Sequence, residues 1–193
     1  MENGRVCGAA GGETVPKVIS SQSIYRGKII DVRVDEIELP GDRIATREVV
    51  SHAGAVVVAA VDEEERVYLV RQYRHAVGRE LVELPAGGLE PDEEPLSAAK
   101  RELREEAGLE ADEWVSLGAF FSSPGFANEK LYAFLARGLK VVEVDPDEDE
   151  DLEICRYPLS DLLAHLGEIT DAKTLATLLL ASQYLDKTGQ LLG

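Results

Sequence analysis

Short alternating runs of hydrophobic and polar residues dominate the chain, broken by one clear helical period in the middle and another at the end. From Ser23 to Val50, "SIYRGKIIDVRVDEIELPGDRIATREVV" carries β-branched residues in rough alternation, the period of strands. Gly27 and the "PGD" at 40–42 punctuate it as turns, which predicts several antiparallel strands in a first small β layer. "AGAVVVAAVDEEERVYLVRQYR" predicts a hairpin, with apolar strands near 54–61 and 67–72 flanking a charged turn. "ELVELPAGGLE" reads as a short strand entering a glycine-containing loop, and residues 95–107 as a helix with Pro95 in its first turn and Gly108 just past its end. "WVSLGAFFSSPG" and "EKLYAFLARGL" predict two further strands joined by a loop, and "VEVDPDEDEDLE" an acidic loop. "EICRYPLSDLLAHLGEI" runs from a strand into a short helix with Ser160 as its expected cap, and "DAKTLATLLLASQYLDKTG" into a final amphipathic helix capped by Asp171. The order is strands, one helix, strands, then helices. It favours a mixed sheet sandwiched between helices over a regular βαβ array.

Composition narrows the partners. The 193 residues suit one domain, perhaps with a small appendage, and 45% hydrophobic residues suffice for a core. Twenty Lys+Arg against 37 Asp+Glu leave a formal charge of −17, which repels nucleic acid and anionic membranes. The same field repels a phosphate substrate unless cations invert it locally. Cys7 and Cys155 lie far apart and outside any Cys/His cluster, so neither a zinc site nor a disulfide framework is expected. The start "MENGRVCGAAGG" lacks the apolar core of a signal peptide, and the run "AVVVAAV" at 55–61 is too short to span a bilayer, so the expected compartment is the cytosol.

The chemistry concentrates in "RELREEAGL" at 101–109. At about 100° per residue, Glu102, Glu105 and Glu106 share one arc of the helix, directly beside an apolar stripe of Leu96, Ala99, Leu103 and Ala107. Three close carboxylates repel, whereas hard cations such as Mg2+ reverse that repulsion by taking oxygen ligands. A Glu-rich helix on its own is more often a solvated charged face. The wider stretch decides otherwise. "GGLEPDEEPLSAAKRELREEAGL" fits Gly-x5-Glu-x7-Arg-Glu-aliphatic-x-Glu-Glu-x-Gly-aliphatic at every fixed position: Gly87, Glu93, Arg101, Glu102, Glu105, Glu106 and Gly108. In this the chain resembles the Nudix hydrolases.

The resemblance implies a Nudix-type α/β/α sandwich with a mixed β-sheet, here with the small N-terminal antiparallel β layer in addition. It implies metal-dependent hydrolysis of a nucleoside diphosphate linked to another moiety. Glu102 and Glu106 would be principal metal ligands, Glu105 a further ligand, and the Ala86 carbonyl an extra hard oxygen. Glu93 and Arg101 would brace the loop and helix, Gly87 would let the backbone approach metal or phosphate, and Gly108 would end the helix. Two to three ions per site are implied, Mg2+ first, with Mn2+ or Zn2+ as alternatives.

Outside that motif, Pro124 stands 15 residues beyond Leu109 in "SSPGFANE", a placement similar to the ADP-ribose pyrophosphatase subgroup. "TREVVSHAGAVVV", "RQYRHAVGRELVELPAG" and "GEITDAKTLATLLLA" are similar to it as well. Carried over, Arg47 and Arg74 would contact substrate, Glu129 would accept hydrogen bonds from substrate hydroxyls, and Pro124 would shape its loop. The subgroup places its catalytic base in the acidic loop, where Glu148 aligns best and Glu150 is second, as base or as a further metal ligand. ADP-ribose would yield AMP and ribose 5-phosphate. The rival readings are another nucleoside diphosphate sugar or a dinucleotide, and a module that binds a nucleotide without cleaving it. The expected division is a mobile tail at 1–16, a dimerising β layer at 17–48 and the hydrolase domain at 49–193, in a homodimer whose sites draw on both chains.

Overall fold

The computed structural model describes residues 15–142 and 152–189. Three antiparallel strands come first: β1 (Lys17–Arg26), β2 (Ile30–Leu39) and β3 (Arg43–His52), paired in that order. The turns fall at the punctuation that the sequence supplies, with Gly41 and Asp42 both at positive φ. This layer has little interior of its own. Every residue of β1 is exposed, and the most buried position of β2 is Asp35, whose carboxyl accepts from the Ser21 hydroxyl at 2.6 Å and from Arg33 Nε at 3.0 Å. Those bonds, Ser21 first, outweigh its desolvation and hold the carboxyl below the usual range.

The main body begins with β4 (Ala55–Ala60). All six of its residues are buried, because both faces are covered. It lies in a four-stranded mixed sheet, antiparallel to β7 (Ala86–Gly88) and parallel to β9 (Lys130–Val141), which pairs antiparallel with β8 (Leu109–Phe121). Strand residues alternate sides. Val56, Val58 and Ala60 pack with Ala98, Ala99, Leu103 and Ala107 of helix α1 (Pro95–Ala107). Val57 and Ala59 pack with Leu178, Ala181 and Leu185 of the C-terminal helix (Ala172–Thr188). The layers are therefore helix, sheet, helix, as expected.

One expectation is corrected. β4 and β5 (Arg66–Arg74) do not form a hairpin. They meet only at the isolated bridge Val61 to Val67, and β5 pairs instead with β6 (Arg79–Glu83) and β10 (Glu153–Pro158) in a second sheet. A continuous apolar run is compatible with either arrangement, and the charged turn changes sheets instead of closing a ladder. A second correction is local. The short helix α2 (Leu159–Ala164) starts directly after Pro158 with no side-chain cap, so Ser160 lies inside it. The C-terminal helix, α3, does begin at Asp171, whose side chain accepts from Thr174 N–H. No helix among the described residues is long and apolar enough to cross a membrane.

Candidate active site

Helix α1 is where the sequence puts it, and its Glu-rich edge is not solvated. Glu102 and Glu106 are buried, at 9% and 3% exposure, while Leu96, expected in the apolar stripe, is 39% exposed. The stripe turns toward the sheet by about one residue, taking the carboxylates with it. The helix ends at Gly108, in the left-handed region at φ 60°, with its N–H donating to the carbonyls of Arg104 and Leu103.

Arg101 organises the edge. A guanidinium has five N–H donors in a fixed fork, and all five are placed here. Nε and Nη2 hold Glu93 at 3.1 and 2.9 Å, Nη2 also reaches the Gly88 carbonyl at 3.1 Å, and Nη1 holds Glu102 at 2.7 Å and Glu105 at 3.0 Å. The fork on Glu93 drives the Arg101 pKa far up and the Glu93 carboxyl below its usual range. Glu106 reaches past the helix and accepts the Ala86 N–H at 2.8 Å. Gly87 lies between: a Cβ there would come within 2.0 Å of the Glu102 carboxylate. The motif glycine thus makes room for a carboxylate as well as for whatever it binds.

Among the described residues no three His, Cys, Asp or Glu side chains are gathered as a ready cage for an ion. Arg101 and the Ala86 amide occupy the carboxylates instead. The donor set nevertheless fits a hard divalent cation: carboxylate oxygens along one edge, beside a backbone that has no Cβ in the way.

Of this edge, Glu106 borders a cavity of about 760 Å³, which Ala86 and Gly87 line beside it and His52, Arg74, Phe121, Glu129, Asp171 and Lys173 line on other sides; Glu102 and Glu105 do not line it. Glu83 stands behind Arg74 and Lys173, only 1% exposed. Arg74 grips it with Nε to Oε1 at 3.0 Å and Nη2 to Oε2 at 2.8 Å, and Lys173 donates to Oε2 as well. Burial pushes the Glu83 carboxyl up, but these two cations outweigh it, and its pKa ends below the ordinary value. Lys173 also meets Asp171 at 3.0 Å. Asp171 accepts from the Thr174 hydroxyl at 2.6 Å, and that hydroxyl accepts the Leu84 N–H at 2.9 Å, so the start of α3 is tied to the chain just after β6.

Glu129 lies in the cavity, 3.8 Å from His52 Nδ1. That nitrogen accepts the Gly54 N–H at 3.0 Å, so the imidazole carries its proton elsewhere. Pro124 is exposed in the turn before Glu129 and does not line the cavity; the turn docks on β3 through Val50 N–H to the Phe126 carbonyl at 2.8 Å and Asn128 N–H to the Val50 carbonyl at 3.1 Å. Arg47 also stays outside. It is exposed on β3, opposite Asp35, and donates to the Thr46 carbonyl. Glu148 and Glu150 lie outside the described residues.

Two family models match. Residues 50–178 match the NUDIX domain, and residues 16–50 match the nucleoside diphosphate sugar hydrolase N-terminal domain. The chain belongs to the Nudix family. Among its relatives, this Nudix protein is 44% identical over 162 residues to the ADP-ribose pyrophosphatase of Bacillus subtilis (strain 168), covering 82% of this chain and 88% of the relative. It is 39% identical over 173 residues to the methanol dehydrogenase activator of Bacillus methanolicus, covering 88% and 91%. A solved structure described as an ADP compounds hydrolase superposes with a TM-score of 0.83, over 94% of this chain and all of that one, at 21% identity. That likeness confirms the fold.

Reasoning from sequence missed Glu83, Lys173 and His52. Glu83 offered no signal beyond being a charge inside "ELVELP". Lys173 offered one: it sits in the first turn of α3, where the helix dipole disfavours a cation.

Proposed function

We propose that this Nudix protein hydrolyses the pyrophosphate bond of ADP-ribose to AMP and ribose 5-phosphate. The supporting observation is a cavity with the buried Glu106 of the motif helix on one side and the cations Arg74 and Lys173 on another, in a chain 44% identical to an ADP-ribose pyrophosphatase. Glu102, Glu105, Glu106 and the Ala86 carbonyl would hold two to three divalent ions, Mg2+ before Mn2+ or Zn2+; such ions offset diphosphate charge and make a bound water acidic. Arg101 keeps Glu102 and Glu105 in register on the helix. Arg74 faces the substrate from the opposite wall, and Glu129 accepts hydrogen bonds from its hydroxyls. Glu148 takes the proton from the attacking water, with Glu150 as the alternative. Because general-base action contributes about 10²–10⁴-fold, Glu148→Gln lowers kcat by that factor with KM little changed. A near-normal kcat removes Glu148 and turns attention to Glu150→Gln.

The N-terminal layer supports a homodimer. Its first strand is fully exposed, and Val18, Ile24 and Ile44 stay more than half exposed, more apolar surface than so thin a sheet carries comfortably alone. In such a dimer Arg47 of one chain would reach the cavity of the other. Mixing Glu106→Gln with Arg47→Ala would then restore activity that neither variant has alone; no recovery would leave each cavity to its own chain.

A second reading is favoured by the match of residues 16–50: the substrate is another nucleoside diphosphate sugar, or a dinucleotide. Assaying ADP-ribose, a GDP-sugar and a dinucleotide at equal concentration with Mg2+ separates the two. AMP and ribose 5-phosphate released fastest from ADP-ribose supports the first; a higher kcat/KM on another compound replaces it.

A further inference from the structure

We propose that Lys173, held beside Arg74 by the buried Glu83, is a second diphosphate-binding cation of this cavity. The inference rests on the reading of the cavity as a nucleoside diphosphate site.

The charges require something of this kind. The net charge is −17, and the cavity itself is lined by Glu106, Glu129 and Asp171. Its only basic lining groups among the described residues are Arg74 and Lys173, His52 accepting a proton donor through Nδ1. Arg47, the other arginine expected to contact substrate, lies outside the cavity of its own chain. A diphosphate entering here therefore meets Arg74 and Lys173 or no cation of the protein.

Neutralising Glu83 does not explain the lysine. Arg74 alone satisfies both Glu83 oxygens with a bidentate fork, the strong form of a carboxylate pair. A second cation at the same carboxylate is desolvated at a cost, its side chain only 17% exposed. It also sits at the positive end of the α3 dipole, where a lysine is disfavoured. Both costs recur in a place where an anion would offset them.

The geometry gives the pair a direction. Glu83 does not line the cavity, whereas Arg74 and Lys173 do. Asp171 lines it, but its Oδ2 is spent on Thr174 and on Lys173. The cluster thus presents both of its cations to the cavity and keeps one of its two carboxylates, Glu83, behind them. Arg74 Nη1 has no hydrogen bond among the described residues, and Lys173 donates to Glu83 and meets Asp171 only as an ion pair. Three N–H donors on Arg74 and at least one on Lys173 remain for phosphate oxygens. Glu83 is a positioning residue that sets their spacing.

The experiment compares the full chain with Lys173→Met and Lys173→Arg. ADP and adenosine are titrated calorimetrically into each in the presence of Mg2+, and melting temperatures are recorded. Loss of one charge-assisted bond costs about 10- to 100-fold in affinity. The expected result is an ADP affinity lowered by that factor in Lys173→Met, adenosine affinity unchanged, and most of the ADP affinity regained in Lys173→Arg. If Lys173→Met melts lower yet binds ADP as the wild type does, the lysine serves only Glu83 and the proposal is overturned. Wild-type protein that binds ADP no better than adenosine overturns the underlying reading of the cavity, and the proposal with it.

Discussion

Two charged clusters, one on α1 beside the Glu106 wall of the cavity and one at its Arg74 and Lys173 wall, are built by opposite rules. On α1 a single arginine gathers three carboxylates, Glu93, Glu102 and Glu105. Across the cavity a single carboxylate, Glu83, gathers two cations. Glu83 is more enclosed than both cations it holds, at 1% exposure against 38% for Arg74 and 17% for Lys173, whereas Arg101, at 27%, is more exposed than Glu93 and Glu102, at 14% and 11%. On one side the centre is buried and its partners face outward; on the other the carboxylates are the buried groups and the arginine covers them. Like charges are expensive to bring together, so each wall carries its opposite charge within it.

The largest effect should come from the carboxylate wall. Glu106 is 3% exposed and is the member that joins α1 to the Ala86–Gly88 strand. Glu106→Gln keeps the shape and can still accept the Ala86 N–H, but it loses the charge that a divalent cation needs. Activity should fall by more than the roughly 100-fold that loss of an outer partner of a metal site costs, with a higher metal concentration needed for half-maximal rate. Glu105→Gln, at the more exposed position, should cost less. If the two variants lose activity equally, burial does not rank the carboxylates and this wall works as an undifferentiated patch.

The two walls also differ in how legible they are. Every fixed residue of the first lies between Gly87 and Gly108, within a few turns of one helix and the strand before it, so spacing alone brings them together. The second is assembled from positions 74, 83 and 173; the hairpin of β5 and β6 joins the first two, and nothing local links Lys173 to them. Only the folding of β5 and β6 into one sheet, with the start of α3 against its end, makes them neighbours. The fold shows the same division. Helix α1 and its Gly108 cap are set by local rules and were readable; the partners of β4 are set by which sheet it joins, and the hairpin reading failed there. The run 55–61 is uniformly apolar because helices cover both faces, and uniform apolarity carries no register. The shift of Leu96 out of the stripe has the same origin: a helical wheel gives relative directions, and packing against the sheet sets the absolute one.

A middle-sized effect should appear in acid. The Glu83 pKa in the folded protein lies below its ordinary 4.5, so its ionised form contributes stability that is present above that value and lost as pH falls through the folded pKa. The melting temperature of the wild type should therefore drop on acidification below about pH 4.5, and Glu83→Gln should show a shallower acid limb along with a lower neutral-pH melting temperature. Glu93 is depressed in the same direction by Arg101, but it sits nearer solvent, so Glu93→Gln should flatten the limb less. Scanning calorimetry from pH 7 to pH 3 measures both slopes. Equal slopes in wild type and Glu83→Gln would mean that this carboxylate is not what couples the second wall to protons.

The smallest effect should come from Asp171, and it separates two jobs in one residue. The side chain caps α3 through the Thr174 N–H at 2.9 Å and also meets Lys173 at 3.0 Å. Asparagine caps helices about as well as aspartate, so Asp171→Asn removes the charge and keeps the cap, whereas Asp171→Ala removes both. Losing the cap costs roughly 1 kcal/mol, which should lower the melting temperature by a few degrees in Asp171→Ala. In Asp171→Asn the melting temperature should hold. Lys173 then has one carboxylate partner fewer but keeps Glu83, and faces the cavity with more of its charge uncompensated, so KM should stay within about threefold of wild type, moving down if at all. A KM that rises in Asp171→Asn while the melting temperature is unchanged would mean that the aspartate is needed to aim the lysine, and that the cationic wall is positioned by two carboxylates and not by Glu83 alone.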